Sequence, residues 1–196
     1  EAVRWYKLAA AQENSKAQYN LALMYHEGLG VLQDYAEAFR WYKLSAKQGN
    51  SAAQQNLAVM YRRGDGVSQD YAEAVRWYKL SAKQGNSDAQ QGLAFMYHEG
   101  LGVLQDYAEA VRWYKLSAKQ GNSDAQYNLA LIYGNGKGVL QDYLQAHMWM
   151  NLAAVSGDKD AQKARDLFAE RMTTQQIAEA QEMAKKCLAS QFKDCD

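Results

Sequence analysis

The chain has 196 residues, 48% hydrophobic and 22% charged, which is enough to build a continuous apolar core. Lysine plus arginine and aspartate plus glutamate both number 22. This neutral balance argues against a nucleic-acid binder, which usually carries a basic excess on one face. No apolar run approaches the ~18 residues that a membrane-spanning helix needs, so membrane insertion is not expected.

A repeat of 36 residues organises the sequence. Shifts by multiples of 36 place Trp77 on four other tryptophans, and residues 70–90 are identical to residues 106–126. The aligned tryptophans are Trp5, Trp41, Trp113 and Trp149. A fixed period of this size is typical of a stacked solenoid, because one unit cannot bury its apolar face alone.

The first helical pattern of each repeat contains the pair Trp-Tyr, and we call it the WY helix. The WY helices are predicted over Asp34–Gln48, Asp70–Gln84, Asp106–Gln120 and Asp142 to about Ser156, with Glu1–Gln12 as a truncated first copy. Glu1 aligns with Glu37, without the Asp-Tyr pair that opens the later copies. We therefore expect upstream residues to be missing, and a signal peptide could be among them.

Capping signals mark both ends of the WY helices. Asp34 precedes Glu37 by three residues, which is the spacing of a capping box, and the later copies repeat it. Gly49 and its equivalents stand where a helix needs a left-handed residue after its last turn. Glu13 replaces that glycine in the first copy, so we expect a looser turn there.

The second helical pattern begins near the pair Ala-Gln, and we call it the AQ helix. A serine precedes a glutamine by three residues in each copy, which predicts a second capping box. The pairs begin at Ser15, Ser51, Ser87 and Ser123. The AQ helices are predicted to end near Gly28, Gly64, Gly100 and about Gly134. Short loops then join each AQ helix to the next WY helix as an antiparallel pair.

The repeat degrades after Trp149. The segment Asp160–Arg171 keeps the Ala-Gln start, and Thr173 with Gln176 predicts the cap of one last helix, roughly Thr174–Ser190. An atypical terminal helix covers the exposed end of a solenoid. About eleven helices result, divided into a solenoid over 1–172 and a capping helix and tail over 173–196. The repeats are predicted at about 1–33, 34–69, 70–105, 106–141 and 142–172.

The repeated motif resembles a known family. The string Ala-Gln-x-x-Leu-Ala-x-Met-Tyr-x-x-Gly-x-Gly-Val-x-Gln-Asp-Tyr-x-x-Ala-x-x-Trp-Tyr is similar to the Sel1-like repeat, a relative of the tetratricopeptide repeat. The resemblance implies an all-α fold, a right-handed α/α superhelical solenoid of about five repeats with a C-terminal capping helix. It also implies a concave face lined by the AQ helices, and an adaptor role of the kind found in bacterial envelope or secreted proteins.

The repeats differ from one another mainly on one face of the AQ helices. The variable positions are spaced by three and four residues, so they share a helix face opposite the Leu/Tyr core face. We predict that this face binds a protein or peptide partner in a groove. The alternative is neutral drift on an exposed face. The predicted groove residues are Tyr19, Leu23, His26, Gln55, Val59, Arg62, Gln91, Phe95, His98, Tyr127 and Leu131.

A second surface is a basic ladder on the WY helices. Arg40, Lys43 and Lys47 recur in the next two copies and could attract an acidic partner. Glu37 and its equivalents stand three residues before each arginine, so local pairing should neutralise much of this charge. A solvated outer face is therefore the favoured interpretation.

Catalytic signals are poor. His26-Glu27 and His98-Glu99 lie two repeats apart and do not form the HExxH pair of a zinc enzyme. The sequence has no phosphate-binding glycine loop of the P-loop kind. We therefore predict no enzymatic activity, no metal and no cofactor. The alternatives left open are a self-assembling module with end-to-end contacts and, less favoured, a weak hydrolase of the cysteine-rich Sel1-like type.

The two cysteines, Cys187 and Cys195, both lie in the C-terminal tail. Pairs at this spacing resemble the staples of cysteine-rich Sel1-like proteins, although this pair lies beyond the last repeat. We favour a disulfide, for which the helix must stop near Ser190 and Phe192 must fold back against the end of the solenoid. A disulfide would favour the periplasm or the cell exterior. Two free thiols in a cytoplasmic protein are the alternative.

Overall fold

A computed structural model describes residues 2–195; Glu1, expected at the start of the truncated first helix, lies outside the described residues. Within that range the fold has eleven α-helices, one short 3-10 turn at Ala154–Ser156 and no strand. This confirms the predicted all-α class and helix count. The helices are α1 Ala2–Ala11, α2 Ser15–Glu27, α3 Tyr35–Lys47, α4 Ser51–Arg63, α5 Tyr71–Lys83, α6 Ser87–Glu99, α7 Tyr107–Ala118, α8 Ser123–Asn135, α9 Tyr143–Ala153, α10 Lys159–Ala169 and α11 Thr174–Ala189.

The helices form two compact units, which we describe separately. The first unit comprises residues up to 89 together with 100–104, and the second comprises 90–99 together with residues from 105 on. In the first unit each helix from α1 to α5 packs on the next. In the second unit α7 packs on α8, α8 packs on α9, and α9 contacts both α10 and α11. This packing of successive helices is that of an α/α solenoid.

The WY helices α3, α5, α7 and α9 begin at the predicted aspartates. The carboxylate of Asp34 accepts the backbone N–H of Glu37 at 3.0 Å, and the three later aspartates repeat this bond at the same distance. The predicted capping box needs a correction, however. The Glu37 carboxylate accepts the indole N–H of Trp41 at 3.0 Å, because the ring lies one helical turn further along the same face.

The AQ helices are capped by asparagine, and the prediction of a serine cap was wrong. The side chain of Asn14 accepts the backbone N–H of Ala17 at 2.9 Å, while Ser15 is already the first helical residue. Asn50, Asn86 and Asn122 make the same bond in the later copies. Asparagine is among the best N-cap residues, and the shift of one residue moves the capped amide from Gln18 to Ala17, while the Gln18 N–H donates to the Asn14 carbonyl at 2.9 Å.

The buried glutamines have a different role from the predicted one. Gln54 donates to the Ala46 carbonyl at 3.1 Å and accepts from Gln84 Nε2 at 2.7 Å. This glutamine of α4 therefore links the carboxyl ends of α3 and α5. Gln18 makes the equivalent pair of bonds, to Ala10 and Gln48. Ser81 adds a bond of 2.7 Å from its hydroxyl to the Ser51 carbonyl.

The turns after the WY helices use left-handed glycine, as predicted. Gly49 has φ 89° and its three equivalents lie between 84° and 88°. Glu13 takes the same conformation, with φ 60°, and the turn keeps the bonds from Glu13 N to Ala10 O and from Asn14 N to Ala9 O, at 3.1 and 3.3 Å. The expectation of a looser turn was therefore wrong: the first copy keeps the turn and bears the strain of a side chain in the left-handed region.

The tryptophans of the middle WY helices are mostly buried. Trp77 and Trp113 are 4% and 8% exposed, and Trp41 is half-buried. Trp5 is 70% exposed. The AQ helix predicted to end at about Gly134 ends one residue later: α8 continues to Asn135 and is capped by Gly136, so Gly134 is helical and faces the Phe168 ring. No helix within residues 2–195 is both long enough and apolar enough to cross a membrane.

Candidate protein-interaction face

The predicted groove residues are buried to a similar extent. All eleven are half-buried, in contrast to the fully buried leucines and alanines on the other side of the same helices. We call them the AQ face. In the first unit the AQ face comprises Tyr19, Leu23, His26, Gln55, Val59 and Arg62. In the second unit it comprises Gln91, Phe95, His98, Tyr127 and Leu131.

In the first unit, side chains of the AQ face pack against tyrosines of the following WY helices. The Tyr19 and His26 rings lie 5.8 and 6.3 Å from the Tyr42 ring. Burial raises the pKa of the Tyr42 phenol, although the nearby Asn56 side chain opposes this. Burial likewise raises the pKa of Tyr78, where the Arg62 guanidinium opposes the shift. Both phenols therefore stay neutral, and both side chains are almost fully buried.

In the second unit two small cavities adjoin the AQ face. His98 and Leu131 line one of about 90 Å³, together with Asn128 and Lys137. Tyr127 lines another of about 280 Å³, beside Asp124, Asp158 and Asp160. His98 Nδ1 lies 2.7 Å from the Glu99 carboxylate, and its ring lies 5.3 Å from Tyr107. The structure thus brings His98 to Leu131, whereas Tyr127 lines a separate cavity.

The basic ladder is locally paired, as predicted. Arg76 donates to both carboxylate oxygens of Glu73 at 3.0 Å and lies 4.3 Å from the centre of the Trp77 ring. The Trp77 indole N–H donates to the same carboxylate at 3.1 Å. The same trio recurs at Glu37, Arg40 and Trp41 and at Glu109, Arg112 and Trp113. These arginines therefore have a structural role on the helix surface.

The cysteines meet in the structure. Cys187 and Cys195 are joined by a disulfide with their Cα atoms 4.6 Å apart, and α11 ends at Ala189. Phe192 contacts the turn at Gly121, between α7 and α8. Among residues 2–195, no cluster of three or more His, Cys, Asp or Glu side chains could hold a metal ion.

Sequence reasoning missed the glutamine links and the asparagine caps. Both had a visible signal, because Gln54 and Asn50 recur at the period of 36 just as the tryptophans do. A polar residue that recurs unchanged and is buried needs a hydrogen-bond partner from a neighbouring helix. The spacing did not identify that partner, since residues 54 and 84 are distant in the chain.

The fold and its period define the class, an α/α solenoid built from helical hairpins. The family model of the Sel1 repeat matches residues 1–14, 15–50, 51–86, 87–122 and 123–158. The chain belongs to the Sel1 repeat family. Proteins of this family are generally interaction scaffolds and are typically not enzymes. None of the curated proteins compared matches the chain.

Three solved structures of bacterial proteins are similar to this chain. The protective antigen c5321 of uropathogenic Escherichia coli is 33% identical, with a TM-score of 0.92 over 98% of this chain and 42% of that one. A Sel1 repeat protein from Oxalobacter formigenes is 36% identical, with a TM-score of 0.71 over 78% and 63%. Cysteine rich protein B of Helicobacter pylori is 18% identical, with a TM-score of 0.50 over 63% and 89%. The chain thus spans less than two thirds of the first two relatives.

Proposed function

We propose that the chain is a protein-interaction scaffold whose AQ face binds a peptide or a partner protein. We also propose that it acts in the bacterial periplasm or outside the cell, with 1–172 as the solenoid and 173–196 as its cap. The family supports the scaffold role. The bacterial relatives and the disulfide support the location, with the cytoplasm as the alternative.

The main support for the proposal is the position of the side chains that differ between the repeats. The exposed side chains of the WY helices α3, α5 and α7 recur almost unchanged, and the Glu–Arg–Trp trio explains why the arginines are needed. The half-buried AQ face instead changes from copy to copy, from Val59 to Phe95 and from Arg62 to His98. Recognition of one specific partner needs different side chains at successive positions, and the AQ face supplies them.

Site-specific photo-crosslinking tests the proposal. A benzophenone amino acid at Gln91 should crosslink a discrete partner in an extract of the source cells. The same probe at Leu116, on the exposed side of α7, is the matched control and should give none. Crosslinking from Leu116 alone would contradict the proposal.

Variants provide the second test. Phe95→Glu combined with Tyr127→Ala should abolish capture of that partner while circular dichroism shows unchanged helicity. Reversing the charge of Lys43, Lys79 and Lys115 should leave capture intact. If the AQ-face variant still captures the partner and the charge-reversed variant does not, the basic ladder is the site and the proposal fails.

End-to-end self-association is the second candidate function. It is favoured by Trp5 and Leu8, which are 70% and 53% exposed on α1, whereas the equivalent Trp77 is buried on α5. Sedimentation equilibrium should then show association that Trp5→Ala removes. A monomer at every concentration would exclude it.

The oxidation state of the two cysteines tests the proposed extracytoplasmic location. Mass spectrometry of unreduced protein from its native compartment should show no alkylatable thiol. Two free thiols would contradict both the disulfide and the extracytoplasmic location.

A further inference from the structure

The chain after α11 folds back on itself in a fixed conformation. The Phe192 N–H donates to the Cys187 carbonyl at 2.8 Å, and the Asp194 N–H donates to the Ser190 hydroxyl at 2.9 Å. Lys186 and Asp194 form an ion pair at 2.8 Å. We call residues 190–195 the tail.

The tail covers one turn of the second unit. A ring carbon of Phe192 lies 3.1 Å from the position that a Cβ atom would occupy at Gly121, in the turn between α7 and α8. The equivalent glycines Gly49 and Gly85 have nothing within 4 Å of that position. Since α11 itself packs on α9, Phe192 gives the last helix an additional contact, to the preceding hairpin.

The tail conformation needs a constraint to hold it. Gln191 and Phe192 are consecutive residues with φ of 54° and 62°, a region that residues with side chains rarely adopt. The disulfide closes the chain directly around them, since Cys187 precedes both and Cys195 follows both. The residues whose backbone is least favourable are thus those that the bridge encloses.

We propose that the tail is a redox latch. When the two thiols are oxidised, Phe192 is held on the Gly121 turn; when the disulfide is reduced, the tail leaves it. In closing, the two thiols give up two protons and two electrons to an exogenous disulfide, which becomes a dithiol; opening is the reverse exchange with a dithiol. Cys187 and Cys195 are 0% and 3% exposed, so reduction requires the tail to open transiently and is slow.

Hydrogen exchange of backbone amides tests the latch. The Gly121 and Asn122 amides donate to Ala118 and Ser117, and they report on the covered turn. Reduction with dithiothreitol should speed their exchange about tenfold or more, together with that of the Asp194 amide. The amides of the uncovered turns, at Gly49 and Gly85, are internal references and should not change.

Two variants separate the bridge from the ring. Cys195→Ala leaves the buried Cys187 in place, and untreated it should match the reduced protein. Phe192→Ala in the oxidised protein should speed exchange at Gly121 while the Asp194 amide stays protected; Lys193→Ala is the matched control and should change neither. Unchanged exchange at Gly121 after reduction, or in Phe192→Ala, overturns the proposal.

Discussion

At the scale of the residue, the Glu–Arg–Trp trio explains why each WY helix carries a charged pair beside its tryptophan. The carboxylate accepts both the indole N–H and the guanidinium, and the arginine lies over the ring. The last repeat breaks the pattern, with Gln145 and Met148 in place of the glutamate and arginine. Trp149 is fully buried, and its indole N–H has no partner among the described residues.

Equivalent tryptophans should therefore respond differently to the loss of the indole N–H. Trp113→Phe removes a hydrogen bond to the Glu109 carboxylate, whereas Trp149→Phe removes an unsatisfied buried donor. We expect Trp113→Phe to lower the free energy of unfolding by ~1–2 kcal/mol more than Trp149→Phe does. Urea unfolding of the two variants measures the difference, and equal losses would contradict the assignment.

His147 makes stability depend on pH. Burial lowers its pKa below the ordinary value of 6.5, the Arg165 guanidinium lowers it further, and Asp166 opposes this. Asn151 Nδ2 lies 2.9 Å from His147 Nδ1, an arrangement that suits a neutral ring accepting from the amide. Below pH 6.5 the unfolded chain therefore binds a proton that the folded chain does not, and stability falls as the pH falls.

His147→Val tests this dependence with a residue that the repeat already uses, because Val75 and Val111 occupy the equivalent positions. The variant should lose less stability than the wild-type protein when the pH drops from 7 through 6.5 and below. Thermal unfolding at several pH values measures both curves. Parallel curves would show that His147 does not titrate differently on unfolding.

At the scale of the element, helices of about thirteen residues are too short to be stable alone, so each depends on its neighbours. Apolar packing provides most of this support. The buried glutamines add polar links, since Gln54 of α4 bonds to the ends of both α3 and α5. They also fix the register between successive WY helices, because the paired atoms meet in only one alignment.

Gln54→Ala should therefore lower the free energy of unfolding more than the replacement of a half-buried polar residue does. It removes two bonds from a nearly inaccessible side chain and leaves Gln84 Nε2 with the more distant Leu80 carbonyl, 3.4 Å away. We expect a loss of ~1–3 kcal/mol in the free energy of unfolding. The neighbouring Gln55→Ala, on the half-buried AQ face, is the matched control and should cost less than ~0.5 kcal/mol. Similar losses for both variants would show that the links contribute little.

At the scale of the whole molecule, the burial of a side chain depends on its place in the array as much as on its repeat position. Trp41 packs on a cluster formed by Ala10, Ala17 and Leu21 of the preceding hairpin. Trp5 occupies the same repeat position and is 70% exposed. Residues at equivalent positions of the repeat can therefore contribute very differently to the free energy of unfolding.

Alanine substitution should measure this difference directly. Trp77→Ala should cost ~3–5 kcal/mol, because it empties a packed site. Trp5→Ala should cost less than ~1 kcal/mol, because most of its ring is already in solvent. Chemical unfolding of both variants measures the two losses in the free energy of unfolding. A large loss for Trp5→Ala in monomeric protein would contradict the exposed placement.

The repeat of 36 residues was sufficient to predict the helices, the aspartate caps and the left-handed glycines, and its motif resembles that of the family. These features depend on residues within one or two turns of each other, and the repeat displays them several times. The tertiary structure decided the rest. Asn50 rather than Ser51 caps α4: the Asn50 side chain accepts the Ala53 N–H, whereas the capping box predicted from Ser51 would have used Gln54, and only the backbone geometry chooses between the two. The hydrogen-bond partners of Gln54 and the packing site of Phe192 depend on atoms that are distant in sequence. These atoms meet only when the hairpins stack.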